Sequence, residues 1–395
     1  MTRPSQLVED VADLCEALPA LHQPEWEDVS NVERVRDELE RLPALVEPGD
    51  VIALKDLLAE AAGGNVQVVQ AGDCAEDPAE CTPVYVARKA ALLDALAGAM
   101  KMNSRKPVVR VGRIAGQFAK PRSQPTERHG DVDLPVYRGH MVNGPEPDPE
   151  LRRPDPERLL TCYRAASDAM DILRRVHAAA RAEAPVWTSH EALLLDYEIP
   201  LLRYDDEGRP LLTSTHWPWV GERTRQVGGA HVALLAGIVN PVACKVGPAM
   251  TPGELVALCA RLDPEREPGR LTLISRMGAD RVGILLPPLV AAVREAGHPV
   301  IWLCDPMHGN TIRTPEGLKT RLVETVIRET LGFQEAVAEG GGVAAGLHLE
   351  TSPEAVTECA DDEDAIGGVG DKYTSLCDPR LNPRQAITVA SAWRG

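Results

Sequence analysis

Cys74, His308, Glu350 and Asp378 lie far apart in the chain and together offer one thiolate, one imidazole and two carboxylates. That mixture of borderline and hard donors suits Mn²⁺, Co²⁺, Fe²⁺ or Zn²⁺. No spacing motif joins the four. Taken singly, each has an ordinary explanation, since a lone Cys after a strand is usually a structural thiol and a lone His a hydrogen-bonded one. Cys74 sits in Gln70-Ala-Gly-Asp-Cys-Ala-Glu76 and His308 in Asp305-Pro-Met-His-Gly-Asn-Thr311, each just beyond an apolar run that reads as a strand (Val66 to Val69; Val300 to Leu303). Asp378 falls in Ser375-Leu-Cys-Asp-Pro-Arg-Leu-Asn382, beside Cys377. A Cys74–Cys377 disulfide formed under oxidation would remove a ligand.

Cations form a second group. Arg113, Arg223, Lys245 and Arg276 follow four different apolar runs. Aimed into one cavity they would repel each other unless an anion sat between them, and Arg and Lys are the usual partners of phosphate and carboxylate. Lys120-Pro-Arg-Ser123 adds two cations and a hydroxyl on a Pro-stiffened loop, enough to hold a second phosphate. A metal beside two anion sites is the equipment for joining two phosphorylated substrates, one with a carbonyl to polarise.

Positioning these residues demands a fold that gathers strand ends. From Val66 the chain alternates short apolar runs with helical segments: Val66–Val69, Val108–Val111, Val186–Thr188, Leu211–Ser214, Val242–Val246, Leu271–Ile274, Val300–Leu303 and Leu347–Leu349. Near-continuous hydrophobicity suits parallel strands buried on both faces. Eight of them predict an α/β fold of the (β/α)8 TIM-barrel type, whose C-terminal rim would collect Cys74, Arg113, Glu191, Glu222-Arg223, Lys245, Arg276, His308 and Glu350. Residues 1–63 read as an N-terminal helical extension, with Leu7, Val11, Leu14 and Leu18, then Val32, Val35, Leu39 and Leu42, at helical spacing. The catalytic barrel is expected over residues 64–395. Ser123 to Pro156 reads as a long excursion over the rim and Asp361 to Asp371 as an acidic, Gly-rich mobile loop.

Composition narrows the function. The 395 residues carry a formal charge of −17, which argues against a nucleic-acid surface. Nine Cys without paired spacing fit a reducing cytosol. The N-terminus has no apolar leader segment and no apolar run is long enough to span a bilayer, so a cytoplasmic protein is expected.

The motifs resemble those of the type II 3-deoxy-D-arabino-heptulosonate 7-phosphate (DAHP) synthases. Besides the stretches already quoted, the resemblance rests on Arg113-Ile-Ala-Gly-Gln-Phe-Ala-Lys-Pro-Arg-Ser123, Ser189-His-Glu-Ala-Leu193, Gly221-Glu-Arg-Thr-Arg-Gln226, Asn240-Pro-Val-Ala-Cys-Lys-Val-Gly-Pro248 and Leu271-Thr-Leu-Ile-Ser-Arg-Met-Gly278. It implies a metal-dependent transferase of the shikimate pathway that condenses phosphoenolpyruvate (PEP) with erythrose 4-phosphate and releases phosphate. Cys74, His308, Glu350 and Asp378 match the metal ligands. Arg113, Glu222 (through its backbone), Arg223, Lys245 and Arg276 match the PEP contacts, and Lys120, Arg122 and Ser123 the aldose-phosphate loop. Lys120 and Lys245 are the expected catalytic lysines, with a metal-bound water competing with Lys120 as proton donor.

The stretch between the helix around Ala166 to Ala179 and the run at Val186 is too short for the helical pair that builds aromatic amino-acid sites in feedback-regulated members. A weakly regulated enzyme of secondary metabolism is therefore expected. The alternatives are an aminoDAHP synthase of antibiotic biosynthesis, with the same site and an amino-sugar partner, and a silent regulatory paralogue, which should show damaged ligands. The resemblance also implies a homo-oligomer and a chorismate mutase partner.

Overall fold

In the computed structural model, which describes residues 11–180 and 185–395, eight parallel strands form the core. They are β1 (Gln67–Gly72), β2 (Val108–Arg113), β3 (Trp187–Thr188), β4 (Trp219–Val220), β5 (Val242–Val246), β6 (Leu271–Ser275), β7 (Ile301–Cys304) and β8 (Ala344–Glu350). Their order is β3-β2-β1-β8-β7-β6-β5-β4. A parallel bridge between Glu191 and Trp219 joins the two outer strands and closes the ring. The fold is a (β/α)8 barrel. Gly346 makes one junction possible: a Cβ there would lie 1.8 Å from the Val68 carbonyl oxygen, so only glycine lets β1 and β8 approach this closely.

The long helices are α1 (Val29–Arg41), α2 (Pro48–Ala62), α3 (Pro83–Ser104), α4 (Glu157–Ala180), α5 (Ala230–Gly237), α6 (Pro252–Leu262), α7 (Val282–Glu295), α8 (Val323–Glu339) and α9 (Pro383–Ser391). Several start on clear local signals. Thr251 and Glu254 form a capping box at α6, with Pro252 at its first turn. Asn382 and Gln385 do the same at α9. Between β3 and β4 a single helical turn (Leu195–Glu198), a 3-10 turn (Ile199–Leu201) and a hairpin intervene.

Helix α2 closes the bottom of the barrel. Leu54, Leu58 and Ala61 are fully buried against Val68, Val109, Ile301 and Ala345, which lie at the N-terminal ends of their strands. Each Leu removed from water there contributes roughly 1.5–3 kcal/mol. Gly63 ends this helix four residues before β1 begins. The first ten residues, including Leu7 of the apolar stripe, lie outside the described residues.

One expected strand is displaced. Leu211–Ser214 does not enter the barrel; Pro210–Leu212 pairs antiparallel with Leu202–Tyr204. Its apolar character comes from packing under the N-terminal segment, where the Thr213 carbonyl accepts from Leu45 and Val46. The fourth staves position falls to Trp219–Val220, which makes only a two-residue ladder with β5. Pro218 interrupts the apolar run just before it and hides it from a search for longer runs. The stretch from Ser123 to Pro156 contains a hairpin, Thr126–His129 with Val132–Pro135. Asp361 to Asp371 includes a 3-10 turn at Asp364–Gly368, and Gly370 beyond it donates to Thr357.

Candidate functional site

The strand ends deliver the expected residues to one cavity of about 400 Å³ on the C-terminal rim. Arg113 ends β2, Lys245 lies in β5, Arg276 follows β6, Glu350 ends β8 and Cys74 lies two residues beyond β1. Arg113, Lys120, Arg122, Ser123, Glu222, Arg223, Lys245, Arg276, His308 and Asp378 line the cavity. Cys74 and Glu350 lie buried beneath them.

Cys74, Glu350 and Asp378 bring ligand atoms within 4.8 Å of one another. His308 stands outside that trio but touches it, with Nε2 3.1 Å from Glu350 Oε1. Its Nδ1 is 2.8 Å from Asp305 Oδ2, an arrangement that fixes the ring and leaves Nε2 facing the cluster. The Lys120 ammonium sits among the other three, 2.6 Å from Cys74 Sγ, 3.1 Å from Glu350 and 3.0 Å from Asp378. A positive charge thus already rests where the donor atoms converge, and the set fits a borderline divalent cation. Around it, Arg321 donates to Glu350 at 2.8 Å and Lys319 to Asp378 at 2.7 Å.

These charges set the protonation. Burial opposes ionisation of Glu350 and Asp378. His308, Lys120 and Arg321 outweigh burial at Glu350, and Lys120 and Arg321 do so at Asp378, so both carboxylates stay well below the usual range. Burial, then Cys377 and Glu350, push the Cys74 thiol well up, so a cation must displace its proton to gain the thiolate. Cys74 and Cys377 are both free thiols.

The cationic half of the cavity is organised around Trp219. Arg113 lies 5.5 Å and Lys245 6.0 Å from its ring centre. His348 meets Arg113 Nη1 at 3.1 Å through Nε2, while its Nδ1 faces Gln70 Oε1 at 2.5 Å. Lys245 is paired with Asp305 at 2.5 Å, yet burial, aided by Arg113, lowers its pKa to about 8. Arg276 donates to the His308 carbonyl at 3.0 Å. Arg223 is exposed and donates to Ser123 at 2.7 Å, which links the loop after β4 to the Lys120–Ser123 loop. The Glu222 side chain is taken up by Arg225 at 2.9 Å and packs against Gly247.

Sequence reasoning gave no role to several residues here. Glu191 lines the cavity, and its Oε1 is buried without a hydrogen-bond partner. Burial raises its pKa against the pull of Lys120 and Lys245. A Cβ at Gly221 would come within 2.0 Å of that oxygen, so the glycine makes room for the carboxylate. Glu191 and Asp305 stood in plain view inside the quoted motifs. Arg321 and Lys319 come from a rim hairpin (Ile312–Arg313 with Lys319–Thr320) that carries no apolar signal.

Fold and cavity together define a (β/α)8 barrel whose rim pairs a cluster that could hold a metal with a cationic cleft. Comparison with known proteins narrows the class. Residues 12–184 and 178–393 match the class-II DAHP synthetase family, and the chain belongs to it. A probable phospho-2-dehydro-3-deoxyheptonate aldolase of Pseudomonas fluorescens is 56% identical over 378 residues, covering 95% of this chain and 94% of that protein. Phospho-2-dehydro-3-deoxyheptonate aldolase AroG of Mycolicibacterium smegmatis is 39% identical, covering 95% of this chain and 92% of that protein. That second alignment runs over 435 positions, more than the 395 residues here, so the mycobacterial protein carries segments that this chain lacks. The solved phospho-2-dehydro-3-deoxyheptonate aldolase of Francisella tularensis SCHU S4 shares the fold at 13% identity, with a TM-score of 0.52 over 98% of this chain and 97% of that one. Among the described residues no helix is long and apolar enough to cross a membrane.

Proposed function

We propose that the protein condenses PEP with erythrose 4-phosphate, using Arg113, Arg223, Lys245 and Arg276 to hold PEP, with the Glu222 backbone beside them. Lys120, Arg122 and Ser123 hold the phosphate of the aldose. The observation that carries the reading is the convergence of these cations on one cavity beside the Cys74, Glu350 and Asp378 cluster. Each charge-assisted contact to substrate contributes roughly 1.5–3 kcal/mol. The hydrogen bond between Ser123 and Arg223 fixes the spacing of the two subsites, which lowers the entropic part of the barrier.

A divalent cation, Mn²⁺ or Co²⁺, held by Cys74, His308, Glu350 and Asp378 would polarise the aldehyde. C3 of PEP then bonds to the aldehyde carbon with the alkene electron pair. Lys120 gives a proton to the resulting alkoxide oxygen. Water adds to C2 of the former PEP, and Glu191, whose Oε1 is buried without a hydrogen-bond partner, takes its proton. The C2 hydroxyl then passes its remaining proton to the departing phosphate as the C2–O bond to that phosphate breaks, which forms the C2 ketone and releases inorganic phosphate.

Regulation by aromatic amino acids is expected to be weak, and the enzyme to serve secondary metabolism. In support, only six residues separate Ala180, the last described residue of α4, from Trp187 at the start of β3, too few for a helical pair. The test is PEP consumption with erythrose 4-phosphate and, separately, with its amino-sugar analogue, each with and without Phe, Tyr and Trp. Turnover with erythrose 4-phosphate that ignores all three amino acids is expected. Turnover with the amino sugar alone would overturn the substrate, and strong inhibition by any amino acid would overturn the regulatory reading.

A further inference from the structure

Beneath the rim, outside the cavity, five buried side chains of alternating charge run from one site loop to another. Glu358 begins the chain. Its Oε1 accepts the backbone N–H groups of Thr374 at 3.0 Å and Ser375 at 2.7 Å, gripping the loop that carries Cys377 and Asp378. Arg380 bridges Glu358 at 2.8 Å and Asp73 at 2.6 Å, and Asp73 is the neighbour of Cys74. Lys89, on α3, then bridges Asp73 at 2.6 Å and Glu76 at 3.1 Å. Glu76 ends the chain by accepting three successive backbone N–H groups: Ala115 at 3.2 Å, Gly116 at 2.9 Å and Gln117 at 2.9 Å. Those amides open the loop that runs from Arg113 to Lys120. No member of the chain is more than 5% exposed.

A helix residue this deep, ion-paired to two carboxylates, has no access to substrate, and a core needs no lysine for packing. Buried ion pairs add little net stability relative to an apolar core, but they fix geometry. We propose that Lys89 is a positioning residue that locks the metal-ligand loops and the aldose-phosphate loop into one unit. Through Asp73 and Arg380 it sets the separation of Cys74 and Asp378. Through Glu76 it sets where Lys120 and Arg122 meet the sugar phosphate. Burial works against the Lys89 ammonium, but Asp73 and Glu76 hold its pKa above the ordinary value, so the link stays charged. The proposal rests on the reading of Cys74 and Asp378 as metal ligands and of the Lys120 loop as the sugar-phosphate clamp.

The chain has two arms that can be cut separately. In metal-free protein, Mn²⁺ affinity is measured by competition with a chelating dye, and KM for each substrate is measured at saturating Mn²⁺. Lys89→Met should weaken Mn²⁺ binding and raise KM for erythrose 4-phosphate, each by roughly 10- to 100-fold as for other supporting residues of metal sites. KM for PEP should move much less. Lys89→Arg should recover most of both losses. Glu76→Gln should raise only the erythrose 4-phosphate KM, and Arg380→Met should weaken only Mn²⁺ binding. These two variants decide the matter even where Lys89→Met does not fold. Wild-type Mn²⁺ affinity and wild-type KM in folded Lys89→Met, or single-arm variants that lose both properties equally, would overturn the coupling alone. A wild-type protein that binds no Mn²⁺ would overturn the site reading and the coupling with it.

Discussion

Lys245 is buried beside Asp305 and Arg113, and burial brings its pKa down to about 8. It is therefore an ammonium below that pH and a neutral amine above it. In the proposed role of Lys245 as a contact to PEP, a cation that titrates there makes PEP affinity pH-dependent: KM for PEP should climb as pH rises through about 8. Lys245→Arg keeps its charge across the same window, because a guanidinium ionises only above about pH 12. The alkaline rise should flatten in that variant even if kcat falls, and an unchanged rise would clear Lys245 of responsibility. Cys74 can be tested without turnover. Cys74→Ser replaces a thiolate by a hydroxyl that does not ionise, so Mn²⁺ affinity should drop by roughly 100-fold or more. Calorimetric titration of the metal-free variant reads this directly, and wild-type affinity would remove Cys74 from the ligand set. Both residues were legible in the sequence because Cys74 follows an apolar run and Lys245 interrupts one. Arg321 was not, since it reaches Glu350 from the rim hairpin, where nothing in the local pattern marks burial.

Elements outside the barrel hold the rim loops by backbone hydrogen bonds as much as by side chains. From α8, Glu329 accepts Met277 N–H at 3.0 Å and Gly278 N–H at 2.8 Å, steadying the loop that begins with Arg276. Its other oxygen takes Asn310 at 2.5 Å, in the loop that carries His308. Burial raises the Glu329 pKa to about 7, above its unfolded value. The protonated form is thus favoured in the folded protein. Its stabilising contribution is complete at low pH and is lost as pH rises from about 4.5 to 7, by about 3 kcal/mol. Between about pH 4 and pH 8, wild type should lose that much more stability than Glu329→Gln in paired urea denaturations. Equal losses would mean that Glu329 does not titrate in this range. The element pattern itself was readable for seven strands, whose short apolar runs of three to five residues are largely buried. The fourth was misplaced because hydrophobicity marks burial, not sheet membership: Leu211 and Leu212 are buried in a hairpin, whereas Trp219 and Val220 give the barrel two residues.

At the scale of the whole molecule, the barrel brings Cys74 beside Glu350 and Asp378 from the far end of the chain, a cluster that could hold a metal, and surrounds them with cations, although the formal charge of the chain is −17. Net charge therefore says nothing of the cavity, whose field is set by the few groups facing it. The ring of strand ends was legible from the alternation of runs and helices, and with it the cavity. The seating of α2 across the barrel bottom and the ionic chain under the rim were not, because both depend on contacts between segments with no shared periodicity. The most direct test of the central claim is phosphate release from PEP and erythrose 4-phosphate by protein stripped with EDTA, before and after Mn²⁺ or Co²⁺ is restored. No release without metal and recovery on its return is the expected result. Full turnover in the stripped protein, or none with any divalent metal while PEP still binds, would contradict metal-assisted condensation at this site.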